Sequence, residues 1–183
     1  RHENAVPDGP RNGALHATGD YALGEPPAVF EYQSGDTTAS PLDRTITLTR
    51  FDSAEARKAH RHPVSLRDLA PKIASRRAAR KDRLPWLKLA AFGDQPSRKG
   101  SLRHNANVTE IDGVEGDHDA GNLTPADAAD KLRAAGIAAL IYTSPSHTPE
   151  RPRWRVLAPL SRSLPPDDRE RLGWSRDAAL ILG

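Results

Sequence analysis

Apolar and polar positions alternate along this chain in short bursts, and each burst predicts one element. Residues 45–51 (Thr-Ile-Thr-Leu-Thr-Arg-Phe) alternate β-branched and apolar side chains, the signature of a half-buried strand. Asp52 and Ser53 can cap a short helix over residues 54–59, which Pro63 closes off. Ser65 caps a second helix from Leu66 to about Arg77, with Leu66, Leu69 and Ile73 along one stripe. Residues 84–93 form the most apolar stretch of the first half and are expected to pack against the core.

The second half is patterned more clearly. Residues 108–114 read as a strand that runs into an acidic cluster, Glu115-Gly116-Asp117-His118-Asp119. Thr124-Pro125-Ala126-Asp127 supplies an N-cap, a proline at the first helical position and an acid at the third. That helix is expected to run to Ala135, burying Ala128, Ala129 and Leu132, and to stop at Gly136 in the C′ position. The apolar run 137–143 has strand length, so strand, helix and strand predict a βαβ unit with parallel strands and a right-handed crossover. Residues 153–159 return as an antiparallel partner, and Pro165-Pro166 precedes a last helix from Asp167 to about Leu182. Residues 1–44, rich in Gly, Pro, Asp, Asn and Ser, read as an irregular arm with a short strand at 28–32. The core is expected over 45–183. Its apolar end, Leu180-Ile181-Leu182, suggests that the parent protein continues.

Composition narrows the class. The chain has 183 residues, enough for one domain with a real core, and is 28% charged and 37% apolar. No run of 18 apolar residues exists, so no transmembrane helix is expected, and no membrane partner. The absence of cysteine excludes disulfides and thiolate metal sites and fits a reducing, cytoplasmic setting. The net charge is only +3, yet five basic residues fall within 76–83 while acids dominate 115–119. A basic stripe beside a carboxylate cluster suits a polyanion handled with metals.

The candidate chemistry follows from strand geometry. On an extended chain Glu115, Asp117 and Asp119 project together, and three like charges need a compensating cation. A hard divalent ion with oxygen ligands, Mg²⁺ or Mn²⁺, is the expected one. A βαβ unit brings the carboxyl ends of both strands to one sheet edge, where ligands tend to bind. That places Asp117 and Asp119 beside the Ser144-Pro145-Ser146-His147 loop, with Arg153 and Arg155 returning to the same edge and Trp154 facing the helices. Such a set suits phosphoryl or nucleotidyl transfer, with paired guanidiniums gripping a triphosphate. Lys99, Arg103 and His104, in a Ser- and Gly-rich loop, and Arg76 and Arg77 are candidate phosphate-backbone contacts. A calcium loop at Asp117 is excluded, because its fifth and twelfth positions are Gly121 and Ala128. His60-Arg61-His62 has the spacing of a nickase histidine pair, but its charged middle residue and nearby Pro63 predict a solvated turn.

In this order the segments resemble primases of the archaeo-eukaryotic primase (primase-polymerase) superfamily, of the plasmid and phage replication type. The matching text is Leu84-Pro85-Trp86-Leu87-Lys88, Gly100-Ser101-Leu102-Arg103-His104, Gly113-Val114-Glu115-Gly116-Asp117-His118-Asp119, Tyr142-Thr143-Ser144-Pro145-Ser146-His147-Thr148 and Pro152-Arg153-Trp154-Arg155-Val156-Leu157. The resemblance covers about residues 45–170. It implies that Asp117 and Asp119 are the metal-binding acidic pair and that Ser146-His147 is the nucleotide-contacting motif, with Ser directly before His rather than two before it. The family's third acid has no clear counterpart, which leaves Glu115 or a residue past Gly183 for that role. The implied fold is α+β: an RRM-like sheet with helices on one face and an N-terminal α/β unit. The implied partners are nucleoside triphosphates, a single-stranded DNA template and a helicase domain or protein. Two other classes stay open, a rolling-circle nickase and a non-catalytic RRM-like single-strand-binding module. Tyr142 is a poor nickase nucleophile inside a strand, and only nine aromatic residues argue against a stacking module.

Overall fold

A computed structural model describes residues 21–22, 28–30, 40–78 and 84–169 of the chain. The described elements are β1 (Tyr21–Ala22), β2 (Ala28–Phe30), β3 (Ile46–Phe51), β4 (Ala59–Val64), α1 (Leu66–Ala74), β5 (Arg77–Ala78), β6 (Trp86–Lys88), β7 (Ala90–Phe92), β8 (Val108–His118), α2 (Pro125–Ala134), β9 (Ala139–Thr143) and β10 (Trp154–Leu164). The chain is α+β. A central five-stranded sheet has the order β2-β9-β10-β8-β7, a three-stranded sheet the order β4-β3-β6, and β1 pairs with β5. Every pairing is antiparallel.

The central sheet is covered on both faces, which explains why β9 reads as an unbroken apolar run. Ala139 and Ile141 of β9, with Trp154, Val156 and Ala158 of β10, pack on Ala128, Ala129 and Leu132 of α2. Leu140 and Leu157 point the other way, onto Ile46 and Leu48 of β3 and Leu66, Leu69 and Ile73 of α1. Among the described residues no helix is long and apolar enough to cross a membrane.

Both helix starts form as the sequence predicts. The Ser65 hydroxyl accepts from the Asp68 amide, and the Thr124 hydroxyl from the Asp127 amide. Gly136, at φ 70°, ends α2 while the Ile137 amide reaches back to the Leu132 carbonyl. The expected strand–helix–strand unit is present with one difference. β8 and β9 run parallel, yet they are not neighbours, because β10 lies between them and pairs with both. The return strand thus satisfies two inner edges at once, and it extends to Leu164 rather than stopping at 159.

Other expectations are corrected. Residues 54–59 form no helix; 52–55 make a bend and turn, and 59–64 become β4. The segment lacks an apolar stripe to hold a helix, whereas β3 offers an open edge. β4 is itself an edge strand, so Pro63 leaves no ladder bond unmade on its outer side. Helix α1 ends at Ala74, since the Leu66–Leu69–Ile73 stripe is exhausted there and Arg77 joins β5. The arm also enters the core earlier than 45: Leu42 is fully buried, and Arg44 reaches Asp112. Only a short 3-10 turn, Pro166–Arg169, of the expected last helix falls within the described residues. The rest of that helix, most of the arm and residues 79–83 of the basic segment lie outside them.

The two larger sheets meet at a corner. β6 belongs to one sheet and β7 to the other, with the fully buried Leu89 between them. The Leu89 carbonyl accepts from the amides of both Asp112 and Gly113, each at 2.9 Å. Gly113 is required at this crossing, because a Cβ there would stand 2.6 Å from the Ala158 carbonyl oxygen and overlap Leu89.

Beside the corner, Asp112 is 2% exposed and fully partnered. Its Oδ1 accepts from Arg44 at 2.7 Å and from Ser163 at 2.6 Å, and its Oδ2 from the Thr47 amide at 2.8 Å. Burial alone would push this carboxyl up, but the bonds from Ser163, Thr47 and Arg44 outweigh it and hold the carboxyl below its ordinary value. A carboxyl depressed in the folded state contributes stability above its unfolded value of about 4 and loses it as pH falls through the folded value. Unfolding free energy measured against pH is therefore expected to drop on acidification below about pH 4, and to drop less steeply in Asp112→Asn. Asp112→Ala, which leaves the Arg44 charge without its carboxylate while its bonds to the Leu160 carbonyl and the Ser163 hydroxyl remain, is expected to cost about 3 kcal/mol at neutral pH in chemical denaturation.

Candidate functional site

The register of β8, β10 and β9 builds a polar row across the central sheet. Arg155 of β10 stands opposite Asp117 on one side and Tyr142 on the other. Its Nε lies 2.7 Å from Asp117 Oδ1, an ion pair. One step nearer the edge, Arg153 Nη1 lies 3.8 Å from Asp119, which follows the end of β8. Trp154, between the two arginines, faces α2 as expected and donates its indole N–H to the Leu123 carbonyl.

Glu115 shares the small cavity lined by Asp117, Tyr142 and Arg155 but is bound differently. One oxygen accepts from Lys88 Nζ at 2.9 Å, and the other accepts from the Leu89 amide. Both oxygens are engaged at the corner between the sheets. Repulsion among the three acids is thus relieved by three basic side chains, Lys88, Arg155 and Arg153.

The Ser-His loop is tied to the same edge. The Arg153 amide donates to His147 Nδ1 at 3.1 Å, so the ring proton sits on Nε2. The His147 amide donates to the Ser144 carbonyl, and the Ser144 amide to the Arg153 carbonyl. The Ser144 and Ser146 hydroxyls are 3.2 Å apart. Ser144, Ser146, His147, Arg153 and Asp119 therefore belong to one constellation.

The basic loop contributes in part. Trp86 of β6 carries the Arg103 guanidinium 4.4 Å from its ring centroid and that of Arg155 at 5.2 Å. Arg103 also donates to the Ala54 carbonyl, which docks the loop beside the polar row. His104 is committed elsewhere, its Nε2 2.9 Å from the Gln95 carbonyl. Lys99 is exposed on a turn closed by Gly100 at φ 77°. Arg76 lines the large cleft described next, while the Arg77 side chain lies outside the described residues.

A cleft of about 460 Å³ opens between α1, the three-stranded sheet and the end of β9. Leu48, Val64, Leu69, Ile73, Leu87 and Tyr142 form an apolar floor, and Arg50, Lys72, Arg76 and Arg155 supply cations; among the described residues its lining includes no acid. Leu87, Tyr142 and Arg155 line both this cleft and the acidic cavity, so they form the wall between them. Burial pushes the Tyr142 phenol up, and Arg155 opposes that shift. Sequence reasoning missed Arg50, Lys72 and the apolar floor. The signal was present as Leu48/Arg50 two apart on a strand and Lys72/Arg76 four apart on a helix.

The histidine pair also differs from expectation. His60 and His62 occupy β4 rather than a solvated turn, with near-parallel rings 6.4 Å apart between centroids. His60 Nε2 lies 3.1 Å from Asp52, and His62 lines the cleft.

Among the described residues no three His, Asp or Glu side chains converge as a ready metal-binding group. Asp117 and Asp119 nevertheless offer exposed oxygens, at 53% and 72% side-chain exposure, whereas Glu115 does not. Comparison with known proteins adds nothing to this geometry: no family model, no curated protein and no solved structure matches the chain.

The different bonding of the acids is testable by stability. Glu115→Ala removes two charge-assisted hydrogen bonds at the corner and is expected to cost about 2 kcal/mol. Asp119→Ala, at an exposed position, is expected to change stability by less than about 0.5 kcal/mol. Urea denaturation of both variants checks the contrast; equal effects would remove the structural role given to Glu115.

Proposed function

We propose that the chain is the catalytic core of a DNA primase or primase-polymerase that joins nucleoside triphosphates on a single-stranded DNA template, as in plasmid or phage replication. One observation carries this reading. A cleft of ligand size, cationic among the described residues, meets an edge bearing paired carboxylates, and Arg155 lines both cavities. An apolar floor under cations suits a nucleotide, with its flat base and anionic phosphates. The order β9-β10-β8 around α2 supports an RRM-like core. The cover of β3 and α1 over the second sheet face disfavours a module that stacks bases there.

Asp117 and Asp119 fit Mg²⁺ or Mn²⁺, since Mg²⁺ commonly takes one or two carboxylates and completes its shell with waters and substrate phosphates. When bound, such an ion would neutralise charge developing on the transferred phosphoryl group. Arg153 and Arg155 would grip the phosphates, and His147 Nε2–H would donate to a phosphate oxygen. Arg50 and Lys72 would hold the nucleotide over Leu69 and Ile73, with Arg103 beside the path of the template. Glu115 acts as a corner clamp in this account and not as the third ligand. A helicase domain or protein is the expected partner in replication.

A nickase reading has one observation in its favour: His62 and Tyr142 line the same cleft. The raised Tyr142 phenol disfavours the phenolate such an attack needs.

Primer synthesis on single-stranded DNA, with labelled nucleotides and Mg²⁺ or Mn²⁺, tests the proposal. Asp117→Ala/Asp119→Ala is expected to lower product at least about a hundredfold with the fold intact by circular dichroism. Undiminished synthesis in that variant would overturn the proposal. A covalent protein–DNA adduct lost in Tyr142→Phe would favour the nickase instead.

A further inference from the structure

Resting on that reading of the site, we infer that this edge selects the metal–triphosphate chelate over the free triphosphate. It does so because Asp117 and Asp119 hold the phosphate-gripping arginines in internal ion pairs. The groups that would bind the two halves of the chelate are bonded to each other in the ligand-free protein: Arg155 Nε to Asp117 Oδ1 at 2.7 Å, and Arg153 Nη1 to Asp119 Oδ1 at 3.8 Å.

The Asp117–Arg155 pair is set by the sheet. The two residues are direct cross-strand partners on β8 and β10, so the pair forms whenever the register forms. Arg155 is further held by the Trp86 ring and by Tyr142 beside it. Two carboxylates and two guanidiniums leave the edge locally neutral. A free triphosphate arriving there gains no net attraction from these four charges, and drawing Arg155 away leaves Asp117 uncompensated beside a polyanion. A divalent ion alone faces the mirror problem, because its carboxylates carry guanidiniums that it repels. With both present, each carboxylate has the metal and each guanidinium a phosphate. Each ligand therefore relieves the cost that the other imposes, which is positive coupling through a shared ion pair.

The two pairs are unequal, and that inequality gives the test its control. Asp117 is closely bonded and 53% exposed, whereas Asp119 is 72% exposed and more distant from its arginine. Releasing Arg155 should matter more than releasing Arg153.

Titration calorimetry of the whole chain with a non-hydrolysable nucleoside triphosphate, in EDTA and then in Mn²⁺, reads the coupling directly without turnover. In EDTA, Asp117→Asn is expected to bind the free triphosphate about fivefold or more tighter than wild type. Asp119→Asn is expected to gain less, and Asp117→Asn/Arg155→Gln to lose the gain. In Mn²⁺ the order is expected to reverse, with wild type tightest. Asp117→Asn binding no tighter than wild type in EDTA would overturn the ion-pair restraint while leaving the proposed nucleotide site standing. Equal gains in the two single variants would also overturn it, since a diffuse charge effect would then suffice. No triphosphate binding by any variant in either condition would overturn both the restraint and the site.

Discussion

The corner at Leu89 is the constraint on which the rest of this structure depends. One apolar residue passes from the three-stranded sheet to the central sheet, and its carbonyl must serve two amides of the opposing strand at once. That arrangement works only where the opposing backbone can come close, which Gly113 permits. The corner bends the chain so that β3 and α1 lie over one face of the central sheet, and the cleft is the space left beside that contact. Glu115 completes the corner by taking the Leu89 amide and the Lys88 ammonium. An acid two residues from Asp117 thus serves architecture, while Asp117 keeps a half-exposed carboxylate.

Strand alternation divides the labour further. His118 and Trp154 turn towards α2, stacked with their rings 4.7 Å apart, while Asp117 and Arg155 turn towards the small cavity on the other face. One residue of offset separates a wall of the core from a charged site. The same alternation makes a register error costly, since a slip by one residue would bury Arg155 against α2 and expose Trp154. Folding and site assembly are therefore the same event on β10, and no separate device is needed to bring arginine and carboxylate together.

Much of this was legible in the sequence where local chemistry decides local structure. Thr124, Pro125, Asp127 and Gly136 fix α2 with their own side chains and backbone, so the helix and the strands flanking it could be read directly. The convergence of Asp117, His147, Arg153 and Arg155 followed from topology alone. What could not be read depended on partners distant in sequence. Residues 59–64 carry two histidines, an arginine and a proline, and only the edge offered by β3 makes them a strand. Glu115 and Asp117 look alike in sequence, and the difference between them lies with Lys88 and the Leu89 amide, 27 and 26 residues away. The cleft belongs to no single segment, so its cations appeared as scattered surface charges until α1 was laid across β3.

The position of Arg155 between two cavities links these observations. Among the described residues the cleft lining includes cations and no acid, while the adjoining cavity includes Glu115 and Asp117 with Lys88 and Arg155. The cations of the cleft come from β3, α1 and the start of the loop beyond it, so the cleft carries a positive lining beside a cavity whose acids and bases are paired. Arg155 is the charged residue of the shared wall, paired with Asp117 on one side and facing the cleft on the other. A ligand bearing phosphates and a divalent ion has the same polarity, anionic along most of its length and cationic at one point. The boundary residue is where that point of contact would have to fall, and β10 is the strand that could place it, being paired with the acidic strand and the cleft strand at once.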